Sequence, residues 1–315
     1  MDTSRRNFIK KATASGAALI AAPAVFGSSV SVRKRKAQDA TAPFKLKYAP
    51  GITMFRLNAG NDFVDNIKFC HDQGFRAVFD NGLPTRSPED QERIAAEVQR
   101  LGMDMGPFVL RGDPGIPDFV LNKQEIRDML IDVMKSAIEV SKRTGNKKAL
   151  IVLGRYDDKL HLDIQTANAI DNLRACCDVL EPEGIQLVLE PLNNLINHPG
   201  LFLTRIPQAY MICRAVNRPS CKVLDDLYHQ QITEGNLIPN IDAVWSELGA
   251  FHCGDHPGRN EPGTGEINYK NVFRHIYEKG YDGAICMEHG ISQRGTKEGE
   301  LKVIQAYRDA DSFEA

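Results

Sequence analysis

The sequence predicts an α/β protein that folds as a single closed (β/α)8 barrel. From about residue 42 onward, short apolar segments alternate with longer amphipathic ones, which is the pattern of parallel βα units. Several of the short segments are almost continuously hydrophobic, as strands covered on both faces must be. The 315 residues show no second break in composition, so we expect residues 41–315 to form one domain of ordinary barrel size.

Eight segments have the length and composition of strands. They are residues 45–51, 77–81, 104–111, 149–154, 186–191, 222–227, 249–254 and 283–289. Seven further segments have helical periodicity, namely residues 88–101, 123–144, 163–180, 205–216, 237–248, 269–279 and 298–310. Gly102 and Gly184 are placed to end helices just before strands. An open doubly wound sheet is the main alternative, but no Gly-x-Gly-x-x-Gly follows the first strand.

The first 40 residues have the features of an export signal followed by a linker. The sequence Ser-Arg-Arg-Asn-Phe-Ile-Lys at residues 4–10 resembles the twin-arginine motif, and a small-residue Ala-Pro-Ala site stands at 22–24. The apolar run that follows the motif, residues 12–26, is too short and too mild to form a stable membrane span. We therefore predict export by the twin-arginine route to the periplasm, with a disordered basic tail as the alternative.

Charge is unevenly distributed along the chain. Residues 1–36 hold eight Lys or Arg and one acid, so the remaining 31 bases face 40 acids, a net charge of −9. Phosphate binding needs a basic face, so the acidic body argues against nucleic acid as the partner and favours a small-molecule substrate. The sequence leaves the oligomeric state open, and a homo-oligomer is compatible with it.

The seven cysteines would ordinarily suggest disulfides in an exported protein. Their number is odd, however, and most of them lie inside apolar segments. No Cys-x-x-Cys pair is present, which argues against a thiolate zinc site. We expect buried free thiols.

Four side chains of metal-ligand type recur at the carboxyl ends of consecutive predicted strands. Glu190, Asp226, His252 and Glu288 are separated by 36, 26 and 36 residues, each about one βα unit. In a barrel they would meet at one mouth, where active sites of this fold lie. One such carboxylate could simply cap a helix, but three together repel one another unless a cation neutralises them. The oxygen-rich set predicts one divalent ion, with Mn²⁺ or Mg²⁺ favoured over Co²⁺ or Zn²⁺.

The flanking segments resemble the hydroxypyruvate isomerase family, which belongs to the xylose-isomerase-like barrels together with the ketose 3-epimerases. The matching segments are Glu-Pro-Leu-Asn at 190–193, His-Pro-Gly at 198–200, Asp-Leu-Tyr-His-Gln-Gln at 226–231, Glu-Gly-Asn-Leu at 234–237 and Gly-Tyr-Asp-Gly at 280–283. The most specific one is Asp-His-Pro-Gly-Arg-Asn-Glu-Pro-Gly-Thr-Gly-Glu-Ile-Asn-Tyr at 255–269. The resemblance covers roughly residues 185–290.

The resemblance implies roles for individual residues. Glu190, Asp226, His252 and Glu288 match the family's metal ligands, and Glu190 and Glu288 would also serve as catalytic acid and base. His229 and Arg259 match substrate-binding residues. The resemblance also selects Asp226 over its neighbour Asp225, in agreement with strand alternation, and related barrels place polar substrate contacts where Asp80 stands.

The implied reaction moves a proton between carbons next to a carbonyl, through an enediolate. We expect a metal-dependent isomerase acting on a small hydroxy-carbonyl compound of the hydroxypyruvate and tartronate semialdehyde type. The third ligand is commonly Gln in hydroxypyruvate isomerases and His in the epimerases, so His252 leaves a ketose 3-epimerase or sugar isomerase as the alternative. A binding or scaffold protein without catalysis and a phosphodiester-cleaving barrel with several zinc ions are less favoured.

Overall fold

The computed structural model describes residues 42–112 and 115–314. The signal peptide and linker predicted for residues 1–40 lie outside this part of the chain. In chain order the elements are β1 (Lys47–Ala49), α1 (Arg56–Ala59), α2 (Phe63–Asp72), β2 (Ala77–Val78), α3 (Pro88–Arg100), β3 (Asp104–Met105), β4 (Phe108–Arg111), α4 (Gln124–Thr144), β5 (Lys148–Ile151), α5 (Leu162–Leu180), β6 (Gln186–Leu189), α6 (Ile206–Val216), β7 (Cys221–Asp226), α7 (Leu227–Thr233), α8 (Leu237–Val244), β8 (Leu248–Cys253), α9 (Tyr269–Glu278), β9 (Ala284–Met287) and α10 (Lys297–Ala310).

The strands form a curled parallel sheet, which confirms the predicted barrel. Seven of them pair in the order β1-β9-β8-β7-β6-β5-β4, and β2 pairs with β3 in parallel. Backbone contacts join the two groups, because Gly51 bridges Phe79 on one side of β2 and Val109 N–H donates to the carbonyl of Asn81 at 3.2 Å on the other. The mouth of the barrel is therefore lined by consecutive strand ends, as the sequence predicted.

The predicted third strand, residues 104–111, is interrupted in the structure. It divides into β3, which pairs with β2, and β4, which pairs with β5. Gly106 still donates its N–H to Val78 at 2.9 Å, but Pro107 has no N–H to continue a ladder. The break lets one segment change partners at the point where the barrel closes.

Three helices are absent from the sequence prediction: α1, α2 and α7. α2 is capped at its N-terminus by Asp62, whose side chain accepts from the N–H of Val64 at 2.8 Å. α7 follows β7 with no intervening loop, so periodicity alone gave no boundary between them. The predicted helix 237–248 is also shorter, because its last turn is the 3₁₀ turn Trp245–Glu247.

Strand residues alternate between the barrel interior and the layer beneath the helices. One interior cluster contains Ala49, Ala77, Phe79, Ala284 and Cys286, and a second contains Leu150, Val152, Val188, Leu192, Leu201, Leu224 and Ala250. Their neighbours along the strands belong to the large cluster packed under the helices, for example Val223, Phe251 and Ile285. The interior therefore follows a two-residue period along each strand.

The cysteines and helices agree with the composition. All seven cysteines are buried and free. Within the described ranges, no helix is long and apolar enough to cross a membrane.

Candidate metal centre

The two-residue period of the strands places the four predicted ligands inside the barrel mouth. Each lies two residues beyond an interior apolar residue: Glu190 after Val188, Asp226 after Leu224, His252 after Ala250, and Glu288 after Cys286. Asp225 has the opposite parity and is buried on the outer face of β7, where its Oδ1 has no partner within the described part of the chain. Strand alternation thus separates the two adjacent aspartates.

The strand register then brings the four side chains together. Asp226 of β7 is the direct partner of His252 on β8, and His252 is the partner of Cys286 on β9. One ligand atom from each of Glu190, Asp226, His252 and Glu288 lies within 4.8 Å of the others. Their assignment as metal ligands remains a prediction, but the grouping that it requires is present.

His252 lies between the two glutamates. Its Nδ1 is 3.1 Å from Oε1 of Glu190 and 3.3 Å from Oε2 of Glu288, and the ring is completely buried. Burial and the charge of Glu288 raise the pKa of Glu190 to about 7. Burial alone would raise the pKa of Glu288, but the charge and hydrogen bond of His252, together with Arg259, lower it. Two glutamates in one cavity therefore have opposite pKa shifts.

Arg259 is the cation closest to this cluster. Its Nη2 contacts Oδ2 of Asp226 at 3.1 Å and Oε2 of Glu288 at 2.5 Å, and its Nε donates to the backbone carbonyl of Glu288 at 3.1 Å. With His252 neutral, as a metal-bound imidazole must be, one guanidinium offsets one of the three carboxylate charges, which leaves two. A divalent cation would neutralise the remainder, and three carboxylates with one imidazole are suitable donors for such an ion. The residues present therefore fit the predicted cofactor.

Asp226 connects the metal cluster to the first turn of α7. Its Oδ1 accepts from the N–H groups of Tyr228 at 2.8 Å and His229 at 3.4 Å, which caps the helix. Its Oδ2 takes no part in the cap and accepts from Arg259 at the cluster. The cap fixes where His229 lies, and its Nε2 is 3.6 Å from Oδ2 of Asp226.

The hydrogen bonds of His229 define its tautomer. Nδ1 accepts from the backbone N–H of Asn193 at 3.2 Å and lies 2.6 Å from the side-chain Nδ2 of Asn193, which can only donate. Burial lowers the pKa of His229 to about 4, with Arg259 acting in the same direction against the carboxylate of Asp226. The ring is therefore neutral with its proton on Nε2, a buried atom that has no hydrogen-bond partner among the described residues. This N–H is available to a substrate oxygen.

Two substitutions of His229 should separate its binding and structural roles. His229→Asn keeps an acceptor near the Nδ1 position but removes the Nε2 donor, so we expect kcat/KM to fall about 10- to 100-fold, as for the loss of one hydrogen bond to a substrate oxygen that gains negative charge. His229→Gln keeps a donor near the Nε2 position but leaves the Asn193 N–H groups without their acceptor. We therefore expect it to be more active than His229→Asn but to lose about 1–3 kcal/mol in the free energy of unfolding. Steady-state kinetics and urea unfolding measure the two effects. The same ranking of both variants in both assays would contradict the assignment.

The loop after β8 contains the most specific part of the predicted signature, and Asp255 organises it. The Oδ2 of Asp255 accepts from the N–H groups of Gly263 at 2.8 Å and Gly265 at 2.9 Å, and its Oδ1 accepts from Ile267 at 3.0 Å. These bonds fold the segment back on itself, and Arg259 lies within it. The signature is therefore a scaffold for the arginine that contacts the metal cluster.

Sequence reasoning missed a residue at the end of β2. Asp80, at the position where related barrels place polar substrate contacts, forms a two-point ion pair with Arg86, at 2.9 and 3.0 Å. Its neighbour Asn81 contacts the cluster instead and donates from Nδ2 to Oε1 of Glu288 at 2.5 Å. Strand alternation could have identified Asn81 from the sequence, because Asn81 has the interior parity of Phe79 and Asp80 does not.

Comparison with known families and curated proteins places this fold and site in context. The family model described as "Xylose isomerase-like TIM barrel" matches residues 67–307. The hydroxypyruvate isomerase of Escherichia coli (strain K12) is 32% identical over 197 residues, which cover 62% of this chain and 74% of that protein. The 2-oxo-tetronate isomerase of Pectobacterium atrosepticum is 27% identical over 264 residues, covering 81% of this chain and 95% of that protein.

Solved structures share the same architecture. A protein of Brucella melitensis described as an AP endonuclease, family 2, superposes with a TM-score of 0.69 at 25% identity, covering 83% of this chain and 99% of the other. The match extends over nearly the whole of that protein, so the barrel described above has close counterparts in its architecture.

Proposed function

This chain belongs to the hydroxypyruvate isomerase family of xylose isomerase-like TIM barrels, and we propose that it is a metal-dependent isomerase of the hydroxypyruvate type. The curated relatives make it an isomerase. The finer proposal is that it interconverts a small hydroxy-carbonyl compound, such as hydroxypyruvate and tartronate semialdehyde, through an enediolate. The observation that carries the proposal is the convergence of Glu190, Asp226, His252 and Glu288 within 4.8 Å at the barrel mouth.

The chemistry requires a proton to leave a carbon beside a carbonyl and to return to the adjacent carbon. A divalent cation held by the four residues would stabilise negative charge on the substrate oxygens when bound. Glu190 and Glu288 approach the site from β6 and β9, on either side of His252, so one carboxylate can take the proton and the other can supply one. The Nε2–H of His229 donates to a substrate oxygen, and Arg259 holds the carboxylates of Asp226 and Glu288 in place.

Arg259 bears on the choice of substrate. If the substrate carries a carboxylate, the guanidinium is the residue to pair with it, because its fork of donors suits a carboxylate. It contacts two carboxylates of the cluster already and stacks 4.8 Å above the ring of Tyr228. With a neutral sugar, Arg259 would only donate hydrogen bonds.

A ketose 3-epimerase or sugar isomerase is the second candidate, and His252 favours it. His252 occupies the ligand position that the resemblance gives as Gln in hydroxypyruvate isomerases and as His in the epimerases. The two activities would share the same metal cluster and the same pair of acid/base glutamates. They differ in the substrate that the mouth accepts and in the fate of the proton, which an isomerase places on the adjacent carbon and an epimerase returns to the opposite face of the same carbon.

Exchange of substrate hydrogen for solvent deuterium separates the two candidates. The metal-loaded protein would be incubated in deuterated buffer with hydroxypyruvate and, separately, with a panel of free ketoses and keto-sugars. The proposal predicts deuterium on the carbon beside the carbonyl of hydroxypyruvate, together with tartronate semialdehyde. Exchange into neutral sugars alone would establish the second candidate, and exchange into no compound would contradict both.

The cellular setting is part of the proposal. We propose that residues 1–40 direct twin-arginine export to the periplasm, on the motif at residues 4–10 and the acidic character of the remaining chain. Twin-arginine export moves folded proteins, which suits a protein with seven buried free thiols. Fractionation of cells that produce the full chain, beside a variant with both Arg5 and Arg6 replaced by Lys, tests this location.

A further inference from the structure

Asn81 is a polar residue at the barrel mouth that neither the ligand set nor the family motifs include. It follows β2 with interior parity, two residues beyond Phe79 and four beyond Ala77. The ring of Phe79 packs 6.0 Å from that of His252, which places this strand end beside the metal cluster. Asn81 therefore approaches the cluster from a strand that contributes none of the four ligands.

The two oxygens of Glu288 have different partners. Oε1 accepts from Nδ2 of Asn81 at 2.5 Å. Oε2 lies 3.3 Å from Nδ1 of His252 and 2.5 Å from Nη2 of Arg259, facing the centre of the cluster. The amide thus engages one carboxylate oxygen and leaves the other to face the site, which fixes the rotation of the carboxylate group.

The backbone around Asn81 is held on both sides. Its carbonyl accepts from the N–H of Val109 on β4 at 3.2 Å. The preceding residue, Asp80, accepts from Arg86 at two points and from the N–H of Gly82 at 3.1 Å. These contacts orient the Asn81 side chain before any ligand binds, and pre-orientation of this kind makes a supporting residue effective.

The other atom of the amide is unsatisfied. Oδ1 of Asn81 is buried and has no hydrogen-bond partner within the described part of the chain. A buried acceptor left without a partner costs about 1–3 kcal/mol, so native proteins usually satisfy such an atom. Because Nδ2 is committed to a catalytic carboxylate, a hydroxyl of the bound substrate is the group best placed to donate to Oδ1.

We propose that Asn81 is a positioning residue with two contacts, one to Glu288 through its N–H and one to a substrate hydroxyl through its Oδ1. The inference rests on the proposed isomerase function and adds to it a residue that links the acid/base carboxylate to the substrate. It also explains why a donor, rather than another apolar side chain, ends β2 on its interior face.

Two variants separate the contacts. Asn81→Asp keeps an acceptor but replaces the donor with an oxygen that repels Glu288, whereas Asn81→Ala removes both groups. We expect kcat to fall about 10- to 100-fold in both, the range for residues that orient metal-site ligands. KM should rise several-fold only in the Ala variant. The ratio of deuterium in recovered substrate to deuterium in product should also change in both variants. A misoriented Glu288 would divide its proton differently between the two carbons of the enediolate.

Binding of Mn²⁺ by calorimetry gives a readout independent of turnover. We expect Asn81→Ala to weaken Mn²⁺ binding about 10-fold or more, because the carboxylate of Glu288 loses its orientation and no new charge replaces the lost contact. Asn146→Asp is the matched control, since Asn146 is also a buried amide donor but its Nδ2 donates to the backbone carbonyl of Gly106 at 2.9 Å, outside the metal cluster. It should lower the unfolding midpoint and leave both the deuterium ratio and Mn²⁺ affinity unchanged.

Several outcomes would overturn the inference. If both Asn81 variants keep the wild-type deuterium ratio and Mn²⁺ affinity, the proposed role of the contact with Glu288 is contradicted. An unchanged KM in Asn81→Ala would contradict the proposed contact with substrate. The same changes in Asn146→Asp would show that they follow from a general loss of stability rather than from the contacts of Asn81. If the wild-type protein turns over no hydroxy-carbonyl compound, the proposed function fails, while the Mn²⁺ measurement still decides the contact with Glu288.

Discussion

Replacing either of the two proposed acid/base glutamates with glutamine should abolish isomerisation while the protein stays folded. Glu190→Gln and Glu288→Gln each remove a group that we propose takes or supplies a proton, and such groups contribute typically about 10²- to 10⁴-fold to a rate. Each change also removes one of the three negative charges that the proposed cation needs. We therefore expect kcat with hydroxypyruvate and Mn²⁺ or Mg²⁺ to fall by about 10³-fold or more in each variant. A coupled assay for tartronate semialdehyde measures the loss.

The two substitutions should not act independently. If the glutamates serve one proton transfer, as proposed, the double variant should be scarcely less active than either single variant. Glu247→Gln is a suitable control, since Glu247 is also largely buried but pairs with Lys222 at 2.7 Å, away from the four-residue cluster. It should retain wild-type kcat. Full activity in both Glu190→Gln and Glu288→Gln would contradict the proposed mechanism.

Removal of the divalent ion should stop turnover and lower thermal stability. Without a cation, the carboxylates of Glu190, Asp226 and Glu288 share a cavity with two groups that can offset their charge, the guanidinium of Arg259 and the imidazole of His252. An ion that binds only the folded state adds about 2.7 kcal/mol at one hundred times its Kd. For a domain of this size, that corresponds to a rise in Tm of roughly 5–10 °C. Thermal unfolding of chelator-treated protein, with and without added Mn²⁺ or Mg²⁺, measures the shift.

Adjacent aspartates provide matched variants for this experiment. Asp226→Asn keeps an oxygen to cap α7 but removes a ligand charge, so it should lose most of the ion-dependent rise in Tm. Asp225→Asn changes the outer face, where burial and the charge of Asp226 raise the pKa of the Asp225 carboxyl and favour its neutral form, which an amide resembles. It should keep the rise. An equal rise in both variants would mean that the ion binds elsewhere.

Local patterns in the sequence were sufficient to predict the barrel and the four clustered residues. Alternation of apolar and amphipathic segments is set by burial, which each strand and helix expresses along its own length. Ligand-type residues at strand ends could be located for the same reason, because side chains on a strand change face with every residue. This rule separates Asp226 from Asp225, and it applies equally to Asn81 and Asp80, of which only Asn81 has the parity of the interior residues.

The tertiary structure alone decided which side chains meet and how. The contact between Asn81 and Glu288 joins residues 207 positions apart and depends on the change of strand partners at Pro107, where the barrel closes. The pairing of Arg259 with two carboxylates depends likewise on a loop folded around Asp255. Such contacts arise from register and loop geometry between distant segments, which no local period encodes. The sequence by itself therefore determined the fold and the four residues at its mouth, whereas the side chains that orient those residues became visible only in three dimensions.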